Sequence, residues 1–186
     1  MPDLILASTS PYRRALLERL RMPFAVVRPE VTEDHLPGEH PLDRARRLAL
    51  LKASAVANRH PGAVVIGSDQ VCALGTRILD KPGEATQCRA QLTSLSGKTA
   101  HFFTGCAVGS SVHVDTTAVL FRSLDSQEIA RYVELERPFD CAGGFKVEAL
   151  GISLFERVES SDPTALIGLP LIWLAGALRA AGFAVP

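Results

Sequence analysis

A chain of 186 residues is long enough for one well-filled hydrophobic core, and its 47% hydrophobic and 22% charged content excludes a disordered tail, a collagen-like repeat and a coiled coil. Its 20 Lys and Arg balance its 20 Asp and Glu, so no global field holds a nucleic-acid backbone or an anionic membrane, and phosphate binding has to come from a local cluster. No stretch reaches the ~18 uninterrupted apolar residues of a membrane span, the first residues lack the charge order of a secretory signal, and Cys72, Cys88, Cys106 and Cys141 have neither C-x-x-C nor zinc-ligand spacing. A cytoplasmic protein with free thiols is expected, forming a single domain over residues 1–186.

Leu4-Ile5-Leu6-Ala7 followed by Ser8-Thr9-Ser10-Pro11 reads as a buried strand feeding a helix, with Ser10 as N-cap and Pro11 at the first helical position. Leu16, Leu17 and Leu20 give that helix an apolar face, and Met22-Pro23 ends it before a second strand over residues 24–28. Residues 29–40 form a polar, acidic loop. Over 41–58 the apolar positions Leu42, Ala45, Ala49, Ala53 and Val56 recur three or four apart, which predicts an amphipathic helix closed by Pro61-Gly62. Residues 63–67 are a continuous apolar run of the buried-strand type. It is expected to deliver Ser68-Asp69-Gln70 at its carboxyl end, where open α/β sheets bind their ligands. A hairpin through Gly75, a helix over 83–95 stopped by Gly97, strands over 101–108 and 112–120, a helix opened by the capping box of Asp125 and Glu128, and a final helix over 170–181 stopped by Gly182 complete the chain. The alternation predicts an α/β fold with a mixed sheet flanked by helices.

Several residues carry chemistry. Ser8-Thr9-Ser10-Pro11-Tyr12-Arg13-Arg14 sets hydroxyls and two guanidiniums at a helix N-terminus, an anion site suited to a phosphate chain if it is more than an ordinary capped helix. Lys52 falls on the apolar side of its helix wheel, between Leu48 and Ala45, so it either snorkels to the surface or meets an anion inside. Asp69, after an apolar strand, suits a general base or metal ligand, although an Asp after a strand more commonly caps a turn. Glu30 and Glu33, in the acidic loop, could join Asp69 around a hard cation. The histidines are scattered without a zinc motif, and no nucleophile elbow, P-loop or dinucleotide fingerprint occurs.

Taken in order, Leu6-Ala7-Ser8-Thr9-Ser10-Pro11-x-Arg13-Arg14, Lys52, Gly67-Ser68-Asp69-Gln70-Val71, Lys81-Pro82, Phe103-Thr104-Gly105, and Ala142-Gly143-Gly144-Phe145-Lys146 through Gly168-Leu169-Pro170 resemble the Maf family of nucleotide pyrophosphatases from end to end. The resemblance is strongest to the branch acting on 7-methyl-GTP. It implies an elongated α/β fold with a cleft between two lobes, a divalent metal cofactor (Mg, Mn or Co), and hydrolysis of a nucleoside triphosphate to monophosphate and pyrophosphate. Such an enzyme keeps modified nucleotides out of nucleic acids. The resemblance is also compatible with a homodimer, and it implies neither nucleic-acid nor membrane partners. Carried over by position, the active-site acid matches Asp69, the phosphate-side residues match Ser8, Arg13, Lys52 and Lys81, the metal carboxylates match Glu33 and Asp69, and the specificity positions match Tyr12, Gln70 and Glu148. Asp69 is then expected to take a proton from the attacking water, directly or as a ligand of the metal. N7-methylation makes guanine cationic, which favours an aromatic face such as Tyr12 beside a carboxylate such as Glu148, with Gln70 on a base edge. Two positions depart from the branch: Tyr12 stands where Trp is expected, and Thr32 where an acidic residue often precedes Glu33. The competing readings are a pyrophosphatase for another nucleotide, of dTTP or UTP type, and a non-catalytic nucleotide-binding regulator of septum formation.

Overall fold

The computed structural model describes residues 2–186. Within them a seven-stranded mixed sheet is flanked by five α-helices. The strands are β1 (Leu4–Ala7), β2 (Ala25–Val26), β3 (Val64–Leu74), β4 (Arg77–Leu79), β5 (Thr99–Val108), β6 (Ser111–Phe121) and β7 (Phe155–Glu159). The helices are α1 (Pro11–Glu18), α2 (Pro41–Ala57), α3 (Ala85–Leu95), α4 (Ser126–Glu136) and α5 (Leu171–Ala180). Strand order is β2-β1-β3-β5-β6-β7, with β4 also on β3; β1 runs parallel to β2 and β3, and β3, β5, β6 and β7 are antiparallel neighbours.

The local signals behave as their chemistry predicts. Ser10 caps α1 by accepting the Arg13 N–H, with Pro11 opening the helix. The Asp125 carboxylate accepts the amides of Gln127 and Glu128 at 2.8 Å each, while Glu128 reaches back to the Asp125 N–H at 3.1 Å. Two expectations change. The second strand shrinks from 24–28 to Ala25–Val26, because only Ile5 and Leu6 of short β1 are there to pair with it. The strand expected to stop at Gly67 continues to Leu74, because β5 pairs with it from Ile66 through Ala73. Asp69 therefore lies in the middle of β3, opposite Gly105, and not at the carboxyl end of that strand.

The long β3 organises everything else. One edge is covered by β5; on the other, β1 pairs only as far as Gly67 and β4 begins only at Cys72, so residues 68–71 have no strand beside them. On one face, Val65, Val71 and Ala73 pack with the small residues Ala45, Ala49 and Ala53 of α2. On the other, Ile66 joins the core under α1 and α5 with Leu6, Leu16 and Leu174, whereas Cys72 joins a second core under α3 and α4 with Phe102, Phe121 and Phe145. The polar pair Ser68 and Gln70 falls between these cores, which is why the two lobes leave a cleft there.

Candidate active site

Helix α2 lies directly on the strands because two of their residues have no side chain. A Cβ at Gly67 would sit 2.2 Å from the Ala49 carbonyl oxygen, and one at Gly105 would sit 2.3 Å from that of Ala45. This close approach aligns Lys52 with Asp69. Lys52 is 6% exposed, and its Nζ lies 2.5 Å from Asp69 Oδ1 and 2.7 Å from Glu33 Oε1. The inward lysine thus meets two anions. Asp69 is 7% exposed; its Oδ2 has no protein partner among the described residues and is not sealed in the interior, so it opens on the cleft.

Glu33 is supplied by the 29–40 loop, which has no regular structure to fix it. Two arginines of α2 do so instead. Arg44, buried, donates from Nη2 to the Glu33 carbonyl at 2.8 Å and from Nη1 to that of Asp34 at 3.4 Å. Arg47 grips the Glu39 carboxylate through two bonds of 2.6 and 2.7 Å and the Asp34 carbonyl at 3.0 Å. Burial alone would raise the Glu33 carboxyl, but the hydrogen bond and charge of Lys52, with Lys81 and Arg13 behind, hold it below its ordinary value.

The cleft, about 560 Å³, is lined by Ser8, Tyr12, Arg13, Glu33, Lys52, Asp69, Gln70, Lys81 and Glu148, so every residue matched to the family site opens onto one space, whereas Arg14 pairs with Glu18 and Glu30 with Arg59, and neither lines it. The Ser8 hydroxyl accepts the Ser10 N–H at 3.1 Å, and Ser8 stands at the turn from β1 into α1, whose N-terminus faces the cleft. Arg13 donates from Nε to the Gly168 carbonyl at 3.0 Å, and its terminal nitrogens have no protein partner among the described residues. Lys81 is exposed, and no carboxylate among the described residues pairs with it. These two unpaired cations and the N-terminus of α1 give this part of the cleft a local excess of positive charge.

Around Tyr12, in the first turn of α1, the cleft is lined by Asp140, Cys141 and Glu148, with Lys146 close by. Burial, followed by the neighbouring Cys141, raises the Tyr12 phenol. Burial would lower the Lys146 ammonium, yet Tyr12, Cys141, Asp140 and Glu136 together raise it. Glu148 sits in a turn, exposed. Gln70 has its amide nitrogen 3.0 Å from each of Thr104 Oγ1, Ala165 O and Leu166 O. Three acceptors around one end fix the amide orientation and leave only its carbonyl oxygen for a ligand.

Arg44 and Asp140 line the cleft without having been singled out beforehand. Arg44 had a readable signal: Arg44, Leu48 and Lys52 are four residues apart, so the spacing that turns Lys52 inward turns Arg44 the same way. No helix among the described residues is long and apolar enough to cross a membrane.

The family model described as Maf-like protein matches residues 3–181. The 7-methyl-GTP pyrophosphatase of Xanthomonas axonopodis pv. citri (strain 306) is 55% identical over 190 aligned positions, covering 100% of both chains. The 7-methyl-GTP pyrophosphatases of Cupriavidus metallidurans and Aromatoleum aromaticum are each 52% identical, covering 98% of this chain and 94% and 97% of theirs. With its whole length matched and its family motifs gathered around a single cleft, the chain belongs to the Maf-like protein family.

Proposed function

We propose that the protein is a nucleoside triphosphate pyrophosphatase that hydrolyses 7-methyl-GTP to 7-methyl-GMP and pyrophosphate in the cytoplasm. The observation that carries the reading is the Lys52 ammonium joining Asp69 and Glu33 in a cleft that Arg13, Lys81, Tyr12 and Glu148 also line. The names and end-to-end identity of the relatives support the same reaction.

The triphosphate lies toward Arg13, Lys81 and the α1 N-terminus, where forked and point-charge donors meet its oxygens. Water attacks the α-phosphorus and the bond from that phosphorus to the α,β-bridging oxygen breaks, releasing pyrophosphate. The open Oδ2 of Asp69 accepts the proton of the attacking water, while Lys52 holds Oδ1 and with it the orientation of the carboxylate. Arg13 and Lys81 offset the charge that builds on the departing pyrophosphate.

The donors present fit a hard divalent cation. Glu33 and Asp69 face each other around one ammonium, and no group of three or more His, Cys, Asp or Glu side chains is placed to hold a metal among the described residues. Two carboxylates supplemented by phosphate and water oxygens are the usual setting of Mg²⁺ or Mn²⁺. When bound, such a cation supplies Lewis-acid neutralisation of phosphate charge.

At the base end, a cationic purine gains from the Tyr12 face and the Glu148 carboxylate, relative to neutral guanine. The Gln70 carbonyl oxygen accepts from a base-edge N–H. The test is pyrophosphate release from 7-methyl-GTP, GTP, dTTP, UTP and CTP with Mg²⁺ or Mn²⁺. Preference for 7-methyl-GTP, lost in Asp69→Ala while nucleotide binding persists, is expected. Preference for dTTP or UTP overturns the base reading, and no turnover of any nucleotide overturns the reaction.

A further inference from the structure

Two buried carboxylates lie outside the chemistry described so far. Asp115 and Asp162 are each 3% exposed, and no Lys, Arg or His pairs with either among the described residues. Both are satisfied by neutral donors. Asp115 on β6 accepts the Ser161 hydroxyl at 2.7 Å and, at 3.4 Å each, those of Ser160 and Thr117. Asp162 Oδ1 accepts the Thr164 N–H at 2.8 Å and has the Thr164 hydroxyl 2.6 Å away, while Oδ2 accepts the Ile172 N–H at the start of α5 at 2.7 Å. The Thr164 hydroxyl in turn lies 2.8 Å from the Leu169 carbonyl and accepts the Leu171 N–H at 2.9 Å. A closed ring of side-chain bonds thus spans residues 162–172.

What this ring fixes is the segment whose backbone carbonyls hold side chains of the cleft wall. The Gly168 carbonyl accepts from Arg13 Nε and from Ser68 Oγ, both at 3.0 Å. The Ala165 carbonyl accepts from Gln70 and from Thr104 at 2.9 Å. Gly168 holds φ at +130°, a backbone state that side-chain-bearing residues rarely adopt, so the surroundings must impose it. Arginine has several rotatable bonds, and engaging Nε on the Gly168 carbonyl reduces that freedom and leaves the two terminal nitrogens as the fork free to meet a phosphate.

We infer that Asp162 and Thr164 are positioning residues: they set the Gly168 carbonyl, and through it orient Arg13 for the phosphate chain of the substrate. The inference rests on the proposed reading of the cleft as a triphosphate site. Neither residue touches the substrate, and the Ser68 hydroxyl, fully buried, holds the same carbonyl from the strand side.

The probe is inorganic tripolyphosphate, measured by titration calorimetry on the full chain in magnesium buffer, alongside steady-state nucleotide hydrolysis. Thr164→Val keeps the shape and removes the hydroxyl; it is expected to weaken tripolyphosphate binding about tenfold, and Arg13→Met roughly 100-fold, the range of charged hydrogen bonds. In the double variant the Thr164→Val effect shrinks to less than about twofold, because it acts through Arg13. Thr164→Ser recovers the binding that Thr164→Val loses. Asp162→Asn serves as a second variant, with thermal unfolding followed in parallel; if it does not fold, the Thr164 cycle decides. Additive effects of Thr164→Val and Arg13→Met overturn the inference, as does unimpaired binding by Thr164→Val or failure of the parent to bind tripolyphosphate. Coupled binding without nucleotide turnover leaves the positioning role standing and overturns only the reading of the reaction.

Discussion

Replacing Lys52 with Met tests whether one ammonium holds the two acidic groups of the site together. Methionine keeps an unbranched aliphatic chain of similar length, so contacts along the stem survive while the charge is lost. Asp69 Oδ1 then loses the only side-chain donor it has among the described residues, and Glu33 loses the partner 2.7 Å away that draws the loop onto α2. Breaking a fully buried pair costs ~3–5 kcal/mol. Because Asp69 Oδ2 opens on the cleft and the Glu33 side chain is 50% exposed, water recovers part of that, leaving about 2–3 kcal/mol. For a domain of this size that loss lowers Tm by roughly 4–12 °C. On the proposed mechanism turnover falls at least ~100-fold, since the Asp69 carboxylate proposed to accept the proton is no longer held. The pH dependence has a defined sign. Glu33 is held below its ordinary value of 4.5, so its contribution is full above that value and is lost as pH falls through the lower folded value. The Tm gap between parent and Lys52→Met should therefore narrow on acidification below about pH 4.5. Melts by circular dichroism at pH 7 and pH 4, with pyrophosphate release at pH 7, give the comparison. A variant melting within ~1 °C of the parent and turning over within about twofold refutes the bridging role.

Gly67→Ala places a Cβ 2.2 Å from the Ala49 carbonyl oxygen and 2.6 Å from the Ala53 nitrogen, both backbone atoms, so α2 must recede. Denaturant titration should show a loss of about 1–3 kcal/mol, and activity should fall with it as Lys52 draws away from Asp69. Arg44→Met removes the donor to the Glu33 carbonyl. It should raise KM for the nucleotide about tenfold, with a smaller effect on kcat, and an unchanged KM contradicts the role of Arg44 in holding the loop. Burial raises all the thiols, Cys88 to about 11 and Cys141 to about 12, with Cys72 and Cys106 higher still. A disulfide reagent at pH 8 should therefore find the native protein almost inert and all 4 cysteines after unfolding; rapid labelling of the folded protein counts against this packing.

What the sequence made legible was local. Ser10-Pro11 and Asp125 with Glu128 announce helix starts because the capping partners lie within three residues, and α2 shows its buried stripe because that stripe repeats along the helix. Asp69 was recognisable as a chemical residue, but its mid-strand place was not, since polar residues after an apolar run ordinarily mark a strand end; only the pairing with β5, more than thirty positions away, keeps the chain extended. Strand β7 escaped notice because Phe-Glu-Arg-Val-Glu is an exposed edge with no clean alternation. The bonds that tie Arg13 and Gln70 to Gly168, Ala165 and Leu166 reach partners whose carbonyls carry no side-chain signature at all.

The same long strand explains why the site lies where it does. Had β1 run on past Gly67, its backbone would have filled the edge of β3 beside residues 68–71, where the chain now leaves β1 through Ser8 and enters α1. Stopping β1 there turns the N-terminus of α1 toward the cleft and leaves β3 to present alternate residues to two surroundings: Asp69 toward Lys52 of α2, and Ser68 and Gln70 toward the carbonyl row of 165–168. One strand thus carries both the acid paired with Lys52 and the groups that fix the wall behind Arg13. Lengthening or shortening β3 by one residue between Gly67 and Asp69 would exchange those faces, putting the carboxylate against the carbonyls and the amide against the lysine. The alternation of the pleat, anchored by the glycine contacts of α2 on Gly67 and Gly105, is what keeps acid and ammonium on the same side.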